Sequence, residues 1–305
     1  MPSRTLALFP GGLGDLLCCW PALRELCRTS GTALTLGARE AWFAALPAGA
    51  VTPLSIDRRE IADLFGGGAL ADTTRSLLGG FARVESWTGA ADENFSLRLA
   101  AASGGSVRAH PFRDFAPGEH AVDYYARCLD VVPAAERLTV RGQAADWAAQ
   151  WWRDRRLGSR AIAIHAGSGS ARKNWQGMAA VSAGWRVAGG HVIDIAGPAE
   201  MEREAAIPHD ALLRNEPLDR VAAVLAHAAG YLGNDSGISH LAAMVGARTV
   251  ALFGPSDPRQ WQPRGAAVHV FHAPQPCRRC GPARFCTHRL SVDEVLQTLR
   301  QTALR

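Results

Sequence analysis

Thr5–Phe9 is an apolar run that breaks into Pro10-Gly11-Gly12-Leu13-Gly14, meets an acid at Asp15, and continues as a helical pattern to Arg28. A strand that opens through glycines into a helix brings bare backbone amides close to whatever lies above the turn. It also begins a parallel α/β unit, in which each strand is followed by a crossover helix. The same rhythm restarts at Ala161–His165, whose strand opens into Ala166-Gly167-Ser168-Gly169-Ser170. Two such starts in 305 residues predict two Rossmann-like domains, residues 1–150 and 151–305, with parallel sheets and a cleft between them.

The remaining pattern fits that alternation. In the first half the sequence predicts strands near Ala33–Leu36, Val51–Ile56 and Ala69–Thr73. Helices are expected near Glu40–Leu46, Asp92–Ser103 and Glu119–Leu129. A tryptophan-rich helix from Gln143 to Leu157 ends at Gly158, and the boundary is placed there. Beyond it, strands are expected at His191–Ala196, Gly230–Gly233 and Thr249–Phe253. Helices are expected at Gln176–Val187, Ala199–Ala206, Leu218–Ala228, Gly237–Val245 and Val292–Leu304. Ser291 and Glu294 form a capping-box pattern ahead of the last helix, for which packing back on the first domain is one expectation.

Composition narrows the class. With 48% hydrophobic and 20% charged residues the chain is globular rather than disordered. No apolar run approaches the ~18 residues of a membrane span. Pro10 and the glycines interrupt what would be the core of a signal peptide, so a cytoplasmic location is expected. Seven cysteines without a regular framework fit reduced thiols. The net charge of +5 comes from residues 146–305, which suggests an anionic ligand such as a nucleotide there, although solubility alone accounts for it too. No basic run interleaved with aromatics is present, so nucleic acid is not an expected partner. Lys173 is the single lysine among many arginines, and it stands in a glycine-serine loop.

Three loops carry candidate chemistry, each just after an expected strand, where ligands of parallel sheets bind. Gly11, Gly12, Gly14 and Asp15 form the first. Their G-G-x-G-D spacing is a poor match to the nicotinamide fingerprint, and Asp15 could act as a helix cap alone. The second, His165–Trp175, holds Ser168, Arg172 and Lys173 ahead of a helix, a ready anion site, or else a solvated basic pair. The third runs from Tyr231 to Trp261 and puts Asp235, Ser236, Gly237 and His240 at the end of one strand and the start of a helix. His240 read alone would be a core or capping histidine.

These elements resemble glycosyltransferase family 9, the ADP-heptose:lipopolysaccharide heptosyltransferases, across nearly the whole chain. "GNDSGISHLAAMVGARTVALFGPSDPRQW" is similar to that family's D-[ST]-G-x-x-H-x-A-A…L-F-G-x-[ST] signature. "GGLGDLLCCWPALREL" resembles its G-x-x-G-D…P-A-L element, and "IHAGSGSARKNW" its H-x-G-[AS]…K-x-W element. Two departures stand out: Phe9-Pro10 replaces an arginine common before the first glycine, and Arg248 replaces a common proline. The resemblance implies a GT-B-type fold of two facing Rossmann-like domains, the N-terminal one holding the acceptor and the C-terminal one the nucleotide sugar. It implies inverting, metal-independent transfer of a heptose or similar sugar from an ADP-sugar to a glycan or glycolipid, lipopolysaccharide inner core in the first place, without a cofactor. Asp15 then matches the general base and Lys173, helped by Arg172 and Ser168, the diphosphate contact. Asp235, Ser236, Gly237 and His240 match the donor loop. A glycolipid acceptor would bring the chain into peripheral contact with the inner membrane surface.

Two other readings compete. A nucleotide-sugar epimerase of the same shape would need a carboxylate pair near the donor sugar, and Asp235 shows no obvious partner. A non-catalytic binding module would be expected to have lost Asp15 or the His240 loop, and both are kept. Near the C-terminus Cys277, Cys280, Cys286 and His288 could hold zinc or iron tetrahedrally. The histidine lies only two residues after the last cysteine, an unusual spacing. A reduced thiol cluster in a surface loop explains the same residues, and the expected site contains no metal.

Overall fold

The computed structural model describes residues 4–197, 207–273 and 286–304, and the chain divides into two compact units, Met1–Ala135 and Glu136–Arg305. This places the division before the tryptophan-rich helix rather than at 150/151. The reason is packing: helix Gln143–Asp154 lies against helix Leu218–His227 of the C-terminal unit, with Arg220 stacked over Trp147 at 4.6 Å.

In the N-terminal unit five parallel strands are β1 (Arg4–Leu8), β2 (Ala33–Ala38), β3 (Thr52–Ser55), β4 (Arg83–Ser86) and β5 (Ser106–Ala109), in the order β3-β2-β1-β4-β5. β1 is buried from Thr5 to Leu8, as a central parallel strand covered on both faces must be. Leu6, Leu8, Val84, Phe95 and Leu99 are central to one side of that core. β1 turns directly into helix Leu13–Ser30, which closes at Gly31 in the left-handed conformation. The strand expected at Ala69–Thr73 is absent; Asp72–Leu78 is a helix, because Thr74 and the Ala71 amide bond Asp63 and tie the segment to the preceding helix end. β4 and β5 supply the strands that take its place. Glu40–Ala45 is a 3-10 helix.

The C-terminal unit holds six parallel strands: β6 (Ala161–His165), β7 (His191–Ala196), β8 (Ala211–Arg214), β9 (Gly230–Asn234), β10 (Thr249–Phe253) and β11 (Val268–His272). Their order is β11-β10-β9-β6-β7-β8. Ile162, Ile164, Leu232, Val250 and Leu252 meet Trp175, Val181 and Trp185 in its core. Val295, Leu299 and Ala303 of helix Val292–Ala303 join the same core, so this helix belongs to the C-terminal unit. Ser291 caps it by accepting from the Glu294 amide at 3.4 Å. The helix expected at Ala199–Ala206 lies outside the described residues. No described helix is long and apolar enough to cross a membrane.

Each sheet changes winding direction at its first strand: β1 lies between β2 and β4, and β6 between β7 and β9. Crossover connections leave these strands to opposite sides, so the loops at their carboxyl ends diverge and open a crevice. The glycine loop stands at the first of these points. The loops after β6 and β9 stand at the second.

Candidate active site

In the N-terminal unit the turn after β1 is shaped by contacts on both sides of Gly11. A Cβ there would lie 2.8 Å from the Asp15 Cβ and would collide with the Phe9 ring, so only glycine fits. The Gly11 carbonyl accepts from Trp42 Nε1 at 3.2 Å. Phe9 itself sits edge-on against Trp87, Phe112 and Tyr125 at 5.5–5.8 Å between ring centres, an apolar floor where the resemblance would place an arginine nearby.

Asp15 is buried near the start of helix Leu13–Ser30, and its Oδ2 accepts from the Gly12 amide at 3.2 Å. The capping reading of this residue is therefore correct as geometry. Capping accounts for only part of its contacts. Arg113, 98 residues further on, donates from Nε and Nη2 to Oδ1 at 3.1 and 2.9 Å, and from Nη2 to Oδ2 at 2.9 Å. Burial pushes the Asp15 carboxyl up, and the Arg113 guanidinium and the Gly12 amide draw it partly back. A carboxylate made more basic by burial, yet held by oriented donors, can act as a proton acceptor.

The C-terminal site is assembled from two loops. Lys173 Nζ donates to Asp235 Oδ2 at 2.6 Å across 62 residues, Asp235 being buried and Lys173 about two-thirds so. Asn234 pins the two loops together: its Oδ1 accepts from the Trp175 amide at 3.0 Å, and its Nδ2 donates to the Ala166 carbonyl at 2.8 Å. Ser236 caps helix Gly237–Val245, and Ser239 bonds back to the Asn234 carbonyl at 2.5 Å. Gly233 is obligatory, because a Cβ there would overlap the Tyr231 hydroxyl. His240 is buried one turn into the helix. Ser168 turns inward on its own loop, its single hydroxyl proton shared between Asn174 Oδ1 at 2.7 Å and the Ser170 carbonyl at 2.6 Å. Arg172 is exposed and bonds to nothing among the described residues, so Lys173 is the cation that the fold positions.

Sequence reasoning brought out Asp15, Lys173 and Asp235 but missed Arg113 and Asn234's clamp. Arg113 has no motif around it; the available signal was an arginine in an aromatic loop, Phe112–Phe115, at the carboxyl end of β5. Of the cysteine cluster, Cys277 and Cys280 lie outside the described residues. Cys286 is half-buried and His288 stands in the 3-10 helix Thr287–Arg289. No group of three or more candidate metal ligands occurs among the described residues.

Residues 136–284 match the family model described as "Glycosyltransferase family 9 (heptosyltransferase)". A search of curated protein sequences finds no match. Among solved structures, a glycosyltransferase family 9 protein from Veillonella parvula is 18% identical, with 99% of this chain and 97% of that chain covered and a TM-score of 0.78. The ADP-heptose lipopolysaccharide heptosyltransferase II of E. coli is 16% identical over 99% of this chain and 98% of its own, with a TM-score of 0.75. The dodecameric iron-containing heptosyltransferase TibC of E. coli, solved with ADP-D-β-D-heptose, is 16% identical. That match covers 99% of this chain and 78% of TibC, with a TM-score of 0.63. Likeness at this level shows the fold: two Rossmann-like parallel-sheet domains of the GT-B class.

Proposed function

Since the chain belongs to glycosyltransferase family 9 through its residues 136–284, we propose that it transfers a heptose, or a similar sugar, from an ADP-sugar to a glycan by a metal-independent inverting displacement. The observation that supports this best is the donor loop pair. The single lysine is brought to 2.6 Å from Asp235, immediately before a serine-capped helix whose first amides face the same strand end. Cations and helix amides so placed suit a diphosphate that gains charge as it leaves, and they need no reorganisation when it does. Solved relatives named for ADP-heptose support the choice of donor. Asp235, released from Lys173 by the diphosphate, would be free to bind sugar hydroxyls. Ser236, Gly237 and His240 would complete the donor loop, with Ser168 and Arg172 as weaker contributors.

Inversion is a single displacement. The acceptor O–H bond breaks as its oxygen bonds the anomeric carbon, the anomeric carbon's bond to the phosphate oxygen breaks, and the electron pair leaves with ADP. Asp15 takes the acceptor proton. Gly11, Gly12 and Gly14 would let the acceptor approach the backbone closely. The acceptor proposed is a glycan or glycolipid, lipopolysaccharide inner core first, met from the cytoplasm with peripheral contact at the inner membrane surface.

The direct test is sugar transfer from a panel of nucleotide sugars, followed by ADP release and by the anomeric configuration of the product. A retained configuration, or transfer from uridine donors only, would overturn the reading. Lys173→Ala should weaken ADP binding by roughly tenfold or more, as loss of a charge-assisted bond of about 1.5–3 kcal/mol requires, while adenosine binds as before. Equal ADP affinity in calorimetry would remove Lys173 from the donor site. Chelation with EDTA should leave the transfer rate unchanged. A loss of rate restored by one metal would instead route the reaction through metal and return attention to Cys277, Cys280, Cys286 and His288.

A further inference from the structure

We propose that Arg113 is the positioning residue of Asp15, holding both carboxylate oxygens so that the base stays ionised and aimed while buried. The inference rests on the reading of Asp15 as general base and adds the residue that makes a buried aspartate usable.

The geometry is that of a built contact rather than a chance surface pair. Arg113 engages Oδ1 through two nitrogens and Oδ2 through one, a fork that only the planar guanidinium provides. Its loop is fixed from several sides. Phe112 lies 5.0 Å beneath the guanidinium and packs on Phe9 at 5.8 Å, tying this loop to the glycine turn. The Pro111 carbonyl accepts from the Tyr124 hydroxyl, the Asp114 carbonyl from Arg127 at 3.2 Å, and Phe115 stands edge-on to Tyr124 at 4.8 Å. Helix Ala121–Leu129 thus anchors the loop while packing along the helix that carries Asp15.

The charge around Asp15 follows from the same contacts. Tyr125, on the anchoring helix, and Cys19, on Asp15's own helix, also face it. Burial pushes both groups up, so both are neutral at working pH. Among the described residues Arg113 is the charged side chain that bonds Asp15, and it is 52% exposed. Its guanidinium offers donors and no acceptor, so the acceptor proton goes to Asp15.

The test is the pH dependence of kcat/KM for wild type, Arg113→Gln, Arg113→Lys and Asp15→Asn, with melting temperatures as the folding control. In Arg113→Gln the acidic limb should move up by about 1–3 pH units, the effect of removing an opposite charge at this distance. The rate below the limb falls accordingly, and much of the loss is recovered on the alkaline side. Arg113→Lys restores a charge without the fork, so its limb should return most of the way while its plateau rate stays lowered. A limb unmoved in Arg113→Gln, with Asp15→Asn inactive, would overturn the proposal and leave the base assignment standing. An increase in acceptor KM alone would do the same and place Arg113 on the acceptor. Near-normal transfer by Asp15→Asn would instead overturn the base reading itself.

Discussion

Asp15→Asn should lower turnover by about 10²–10⁴-fold while ADP affinity and melting temperature stay near wild type. That loss corresponds to about 2.7–5.4 kcal/mol of transition-state stabilisation, at 1.36 kcal/mol per tenfold. The substitution separates two roles that the structure gives to one carboxylate. An asparagine oxygen can still accept from the Gly12 amide, which Asp15 now does at 3.2 Å, so the cap survives. It cannot take a proton from a hydroxyl. Nor should folding suffer. The carboxyl is raised on folding, mainly by burial, so its ionised form costs stability at neutral pH and that cost is relieved as pH falls through the folded value. Removing the charge leaves Arg113 half-exposed, where water replaces its partner. Steady-state transfer rates beside thermal unfolding of the same samples decide the matter. A variant that unfolds early, or one that transfers normally, would each remove Asp15 from the chemistry.

What the sequence made visible was what lies close together in the chain. β1, β6, β9 and β10 are runs of buried apolar residues that open into glycine or small residues, and one glance at the local pattern finds them. β4 and β5 read Arg-Val-Glu-Ser and Ser-Val-Arg-Ala, four residues each with charges in the middle, and nothing in that pattern says strand. Their charges are buried or spent on partners that the chain brings from elsewhere. The site divides along the same line. Asp15, Lys173 and Asp235 stand beside glycines at strand ends, so their loops announce them. The Arg113 bond to Asp15 spans 98 residues and the Lys173 bond to Asp235 spans 62, and such pairings come from strand order, which local pattern does not contain. The compact units divide at 135/136 rather than 150/151 for a related reason: a helix near the middle of the chain is assigned by what it packs on, and Gln143–Asp154 packs on a helix that follows it by more than sixty residues.

Glu85→Gln should cost more stability near pH 6 than near pH 10, by up to about 3 kcal/mol. Glu85 is fully buried on β4 and holds His110 Nε2 at 2.6 Å from its Oε2, while Arg83 Nε donates to Oε1. Burial pushes His110 down, but the Cys128 sulfur and the Glu85 carboxylate beside it more than reverse that, and the imidazole is pushed up to about 9 from 6.5. A histidine raised on folding stabilises fully below its unfolded value. It loses that contribution as pH rises through the folded one, so the window runs from about 6.5 to about 9. The whole rise from 6.5 to about 9 is worth about 3 kcal/mol at 1.36 kcal/mol per unit, and Glu85 supplies part of it beside Cys128. Without Glu85, part of the upward push on His110 is lost and the curve flattens; Arg83, 30% exposed, turns to water. Urea unfolding across that range should show the two proteins converging as pH rises. A gap that stays constant with pH would assign the loss to packing, and no gap at any pH would dissolve the network. The consequence reaches the site, because the Trp87 ring lies 5.0 Å from His110 on one side and 5.5 Å from Phe9 on the other. Phe9 is the floor of the turn that carries Asp15, so loosening this buried pair at high pH should lower transfer before it unfolds the chain.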